Sequence, residues 1–368
     1  MRLTLLSTAF LLGSFAASFA QAPAYHVTKT VALGAPDRWD YLVYDGPSHR
    51  LYVAHGDRLS VLDGKNGSVL GTVQGMPGGS HGIVIVAAAG KGYTDDGQAG
   101  QAVAFDLKTL KTGKHIKAQD DADGITFDPA SGHIFVVDGD SKVLTVIDPK
   151  TDTAIATVNA GGGLEYAVSG NNGKLYVNGA ENKEILRVDT ATNQVDAHWP
   201  IPGCTNPHGL AIDTATNQVD AHWPIPGCTS PHGLAIDTAS HRLFVTCVNE
   251  VMTVVNADSG AVMATLPIGK GSDGAAFDPK RKLAFSSNYD GTLSVVRETS
   301  PQKFESAGSI PTAVTGKNMT IDPDTGRLFV AVADIDPKAP VPLGRNGRPG
   351  RAKPLPGSLK ILFLDPAP

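Results

Sequence analysis

Between Pro231 and Asn256 short apolar runs alternate with polar corners. Gly233–Ile236 is apolar, Asp237–Ser240 polar, and Arg242–Val248 rich in β-branched and aromatic residues; Asn249 and Glu250 then form a corner before the apolar run Val251–Val255. Runs this short predict β-strands, because such side chains pack on a pleated surface while Asp, Thr and Ser supply the turns. The same order recurs at Gly124–Asp128, His133–Val137 and Val143–Asp148, and again at Trp39–Asp45, Arg50–Val53 and Leu59–Asp63. No stretch sustains the roughly 3.6-residue apolar period of an amphipathic helix.

Seven residues open the first strand of successive repeats: Asp40, His81, Asp123, Glu165, His232, Asp273 and Asn318, at intervals of 41, 42, 42, 67, 41 and 45 residues. A period near 42 with four strands per unit is that of a propeller blade. The chain is therefore expected to be all-β, a single seven-bladed β-propeller of four-stranded antiparallel blades over 21–368. The last repeat holds strands at Asn318–Ile321, Arg327–Val332 and Ser358–Leu364 and then the sequence stops. Tyr25–Leu33 is expected to close that blade as its outer strand, which removes two exposed sheet edges at once.

The 67-residue interval has a visible cause. Asp189–Ile212 is repeated at Asp213–Ile236 with one change, Asn206 to Ser230. Without one 24-residue copy the interval returns to 43. A copy is too short for a blade, so one is expected to be extruded as a loop at the junction of blades 4 and 5. Cys204 and Cys228 are duplicates, which leaves Cys247 as the third cysteine. Cys228 precedes the first strand of blade 5 and Cys247 ends its second, so the two fall side by side and could form a disulfide in an oxidising compartment; Cys204 competes for the same partner.

The first 20 residues carry Arg2, an apolar run Leu3–Phe15 and small residues at Ser18 and Ala20. They predict a cleaved signal peptide and a periplasmic or secreted protein. The run is shorter than the ~20 residues of a spanning helix, so no membrane span is expected. The net charge of −5 argues against a general nucleic-acid binder, which carries a basic excess. We expect a monomer whose partner is a protein or small-molecule ligand at the channel mouth.

The segments LYVAHGDRLSVLD, IFVVDGDSKVLTVID, LYVNGAENKEILRVD and LFVTCVNEVMTVVN resemble the YVTN-type repeat of exported, YncE-like bacterial β-propellers. The resemblance runs over nearly all of the chain after residue 20 and implies the propeller fold and an extracytoplasmic address. A DNA-binding role has been proposed for some members, and the acidic charge of this chain departs from it.

Inner strands border a propeller's channel, so Asp40, His81, Asp123, Glu165, His232, Asp273 and Asn318 are expected to converge at one mouth as a ligand-binding ring. Four carboxylates, two imidazoles and an amide would attract a cationic ligand or a divalent cation, with Glu165, His232, Asp273 and His81 as the candidate metal set. The alternative to a binding or scaffold protein is a metal-dependent lyase or lactonase-like hydrolase at the same mouth, with His81 as general base. No GxSxG, HExxH or P-loop motif is present. His55 and Asp57 are expected on the same face. So is the loop Asp336–Gly357, whose Lys338, Arg345, Arg348, Arg351 and Lys353 lie among six prolines.

Overall fold

The computed structural model describes residues 25–200, 225–341 and 352–367. The leader reading falls on residues outside this set, as do Cys204, Trp223, Arg345, Arg348 and Arg351. Seven four-stranded antiparallel sheets follow one another along the chain. Blades 1 to 6 span 42–74, 83–117, 122–159, 164–200, 231–267 and 272–311, each with its strands in chain order. Blade 7 is built from Met319–Ile321, Leu328–Val332 and Lys360–Pro366, and Tyr25–Ala32 lies on its outside. The pairing runs from Tyr25 opposite Pro366 to Ala32 opposite Lys360, so the first described strand closes the last blade. Among the described residues no helix is long and apolar enough to cross a membrane.

The core lies between blades rather than within one. Phe135, Val137 and Leu144 of blade 3 pack on Leu175, Val177 and Leu186 of blade 4. Leu51 and Val53 of blade 1 pack in the same way on Phe329 and Phe363 of blade 7. Second and third strands are therefore apolar on both faces, whereas an outer strand such as Val69–Gln74 is mostly exposed. Tyr25 shows how the closing strand is held. Its ring meets Phe285 of blade 6 edge-on at 4.8 Å, and its hydroxyl donates to Asp278 at 2.7 Å. Burying a side chain of that size contributes about 2 kcal/mol.

Blades are also tied where the inner strands end. Asp128 accepts from Ser169 at 2.5 Å and Thr190 at 2.9 Å, both of the following blade, and Asp237 meets Lys282 of the next at 2.7 Å. Burial alone would raise the pKa values of Asp128, Asp237 and Asp278; hydrogen bonds from these neighbours outweigh it and hold all three below the usual carboxylate range.

The duplicated segment is shared between two blades. Gln194–Pro200, from the first copy, is the outer strand of blade 4, and Pro231–Asp237, from the second, is the inner strand of blade 5. The surplus falls at 201–224, outside the described residues. Deleting 189–212 or 201–224 leaves the same polypeptide, because 189–200 and 213–224 are identical. Cys228 and Cys247 are joined by a disulfide, which ties the turn before the inner strand of blade 5 to the end of its second strand.

Candidate functional site

The seven opening residues sit at the starts of the inner strands, and in four blades the strand register breaks there. The shifts fall between Ala122 and Gly124, Leu164 and Ala167, Pro231 and Leu234, and Ser272 and Gly274, bracketing Asp123, Glu165, His232 and Asp273. A bulge takes a residue out of the ladder, re-aims its side chain and frees backbone N–H groups. Side chains of the second strand take up those donors: Thr246 accepts from Gly233 N–H at 2.9 Å, and Ser287 from Gly274 N–H at 3.2 Å. Glycine follows the opening residue because the next blade crowds it. A Cβ on Gly233 would stand 2.7 Å from Ala275 N, and one on Gly274 the same distance from Lys317 O.

Blades 1, 4 and 7 break this rule, blade 7 with Met319 and blades 1 and 4 with Tyr41 and Tyr166, where blades 2, 3, 5 and 6 carry glycine. The tyrosine rings meet at 5.6 Å with planes 33° apart. Three steps separate blades 1 and 4 in a ring of seven, so the contact crosses the channel. Blades 2 and 3 lie on one side of it and blades 5, 6 and 7 on the other. Burial raises both hydroxyl pKa values, well above the usual one for Tyr41, so both rings stay neutral.

On the side of blades 2 and 3, His81 is locked. Asp95, fully buried, accepts from its backbone N–H at 2.7 Å, from Gly82 N–H at 2.6 Å and from the ring Nδ1 at 3.1 Å. Asp123 of the next blade lies 3.3 Å from the same Nδ1, and Arg38 lies 3.3 Å from Nε2. Burial pulls the imidazole pKa down, but the bond to Asp95 and the charges of Asp95, Asp123 and Asp40 carry it up to about 9. Burial pushes Asp123 up to about 7, against the pull of His81, and raises Asp95 as well.

On the side of blades 5 to 7 the mouth opens into a cavity of about 470 Å³. Asp40, His232, Asp273 and Asn318 line it, with Tyr41, Tyr166 and Lys317. His232 Nδ1 lies 3.2 Å from Asp273 of the next blade. Burial raises Asp40 above the ordinary carboxylate range, with Lys317 and His81 pulling the other way. A second hollow of about 190 Å³ adjoins it, lined by Asp37, Arg38, Trp39, Tyr289, Lys317, Ala352 and Pro354 among others. Ala352 and Pro354 are the described foot of the Pro/Arg-rich loop, which Tyr289 reaches by donating to Ala352 O at 3.2 Å.

Four of the expected ring residues thus share one cavity, two lie across the tyrosine pair, and Glu165 is half-buried beside Tyr166. The candidate metal set Glu165, His232, Asp273 and His81 is divided between the two sides. Among the described residues no group of three or more His, Cys, Asp or Glu is placed to hold a metal ion. His55 does not reach the mouth. It is buried, paired with Ser60 at 2.7 Å and with Pro36 O at 2.7 Å, and it fastens the segment before blade 1. Sequence reasoning passed over Tyr41, Tyr166, Asp95, Lys317, Arg38 and Trp39. The two tyrosines had a signal, replacing glycine in the repeat; Asp95 had another, a carboxylate at the repeat position that Val137, Thr246 and Ser287 fill in blades 3, 5 and 6.

The family model described as "Domain of unknown function (DUF5074)" matches residues 47–208. A search of the curated proteins finds no relative. Among solved structures, the chain is similar to one from Kuenenia stuttgartiensis, titled hydrazine synthase, with a TM-score of 0.52 and 14% identity over 79% of this chain and 99% of that one. At that identity the likeness is one of fold: this chain shares the propeller architecture, and over 47–208 it is similar to a family whose function is not defined.

Proposed function

We propose that this chain is an exported propeller that binds a small organic cation, an alkylammonium, at its channel mouth. One observation carries the reading: Tyr41 and Tyr166 form an aromatic pair across the channel in the wall of a cavity that also presents Asp40 and Asp273. Neutral aromatic faces beside carboxylates suit an ammonium group, which the ring quadrupoles attract and the carboxylates neutralise. Asp40, raised by burial, exchanges its proton for the ligand, so binding should strengthen as pH rises through its titration. The leader-like residues 1–20 and the likeness of the repeats to the YVTN type, YncE-like proteins support the extracytoplasmic address.

Calorimetric titration of the protein with butylammonium and tetramethylammonium tests this. Binding should occur in the parent and be lost in Tyr166→Ala and Asp273→Asn. A parent that takes neither cation, or variants that bind as the parent does, would sink the reading.

A further inference from the structure

The two hollows at the mouth are successive steps along the same two segments. Trp39 and Arg38 line the outer one and Asp40 and Tyr41 the inner; Lys317 lines both, and Asn318 follows it into the inner cavity. Their chemistry is opposite. The inner cavity offers Asp40 and Asp273, and the Oδ1 of its lining residue Asn318 is buried with no hydrogen-bond partner among the described residues. That is an orphaned acceptor beside two carboxylates, and it calls for a donor. The outer hollow offers Arg38 and Lys317, whose Nζ stands 5.8 Å above the Trp39 ring. Trp39 is 7% exposed, and its Nε1–H is likewise buried without a partner among the described residues. That is an orphaned donor beside two cations, and it calls for an anion. The one carboxylate of the outer hollow, Asp37, is already held by the backbone N–H groups of Gly357, Ser358 and Leu359 at 2.6, 2.7 and 2.9 Å.

We infer that the ligand is a zwitterion, seated with its ammonium end inward among Asp40, Asp273 and Asn318 and its carboxylate end outward against Lys317, Arg38 and Trp39. The inference rests on the reading of the inner cavity as an ammonium site and adds the second charge and its direction. Lys317 stands at the junction, where it separates the two ends of the ligand electrostatically. Each hollow meets a charge of the opposite sign only when the ligand carries both charges.

The test is a matched titration series on the parent protein, with unbranched ω-amino acids of increasing length, the alkylammoniums of the same lengths and the corresponding carboxylates. At the best length the amino acid should bind about tenfold more tightly than its alkylammonium, the weight of one charge-assisted contact. Lys317→Met and Trp39→Phe should each bring the ratio of amino-acid to alkylammonium affinity down to about one. The ratio is the readout, because Lys317 also lines the inner cavity and its loss shifts ammonium binding by itself, and Trp39→Phe removes part of the indole with the N–H. Asp273→Asn should weaken both. If alkylammonium and amino acid bind equally at every length, the zwitterion is overturned and the ammonium site stands. If the carboxylate alone binds best, or nothing in the series binds, the ammonium reading falls too. If Trp39→Phe and Lys317→Met both leave the advantage intact, the outer hollow is not where the carboxylate sits.

Discussion

His81 with Asp123 and His232 with Asp273 are one arrangement made twice. In each, the histidine opening one blade faces the aspartate opening the next, at 3.3 and 3.2 Å. One position separates them. Opposite the glycine after the histidine, the second strand carries Asp95 in blade 2 and Thr246 in blade 5. Asp95 takes three donors and holds His81, whose side chain is 13% exposed; Thr246 bonds the glycine, and His232 keeps 30% of its side chain open to the cavity. A buried carboxylate makes the opening residue of blade 2 a structural post, whereas with a hydroxyl at the same place the opening residue of blade 5 faces the cavity. The tyrosine pair keeps the two apart.

The largest effect that would break this contrast is loss of Asp95. Asp95→Ala strips partners from two backbone N–H groups and a charged imidazole in a buried site, which should cost about 4 kcal/mol in denaturant unfolding. A loss comparable to an ordinary surface change would mean that the first pair is not locked.

Next is the pH dependence. The folded pKa of His81 lies above its ordinary value, so its stabilisation is complete below about 6.5 and is lost as pH rises through about 9. Asp123 is also raised and has the same sign at lower pH, stabilising below its ordinary 3.8 and losing that as pH rises through about 7. Across the His81 window the stability should fall by up to about 3 kcal/mol. Thermal melts at stepped pH should show this, and His81→Gln should flatten the curve between about pH 6.5 and 9. A parent whose melting point holds or rises across that window would mean a neutral ring instead, with Nδ1–H donating to Asp95 and Nε2 accepting from Arg38.

At the matching position of blade 5 the effect should be smaller. Thr246→Val removes one hydroxyl partner of Gly233 N–H and should cost about 1 kcal/mol. A cost equal to that of Asp95→Ala would dissolve the distinction. His232→Gln should shift stability by only about 0.5 kcal/mol, as a partly open side chain does, yet alter the affinity for alkylammonium. If it unfolds the protein, the second pair is as structural as the first.

A comparably small effect belongs to the duplication that feeds blade 5. Removing 201–224 should leave the melting curve within about 1 kcal/mol of the parent, because the closure entropy of a loop changes slowly with length. Failure of that variant to fold would give the surplus copy a structural role.

Along the chain, the sequence by itself determined the number of blades, their strand order and the closure by Tyr25–Ala32 on Lys360–Pro366. Those properties are local and periodic: strands of three to nine residues follow one another through short turns, and an incomplete last repeat demands one more strand. It also placed the seven opening residues at one end of the inner strands, since an offset repeated in every blade returns to the same end of the ring. What it did not determine is who meets whom. Convergence of the seven into one ring was expected, and the structure divides them, because two tyrosines in place of glycine extend across the channel and meet. Asp95 and Thr246 occupy one register of the repeat, yet their different consequences depend on how the adjoining blade buries them. Trp39, Arg38 and Lys317 join the site from segments far apart in sequence, Arg38 and Trp39 before blade 1 and Lys317 before blade 7. They become neighbours only when the ring closes, so no local pattern records that contact and the tertiary structure alone decided it.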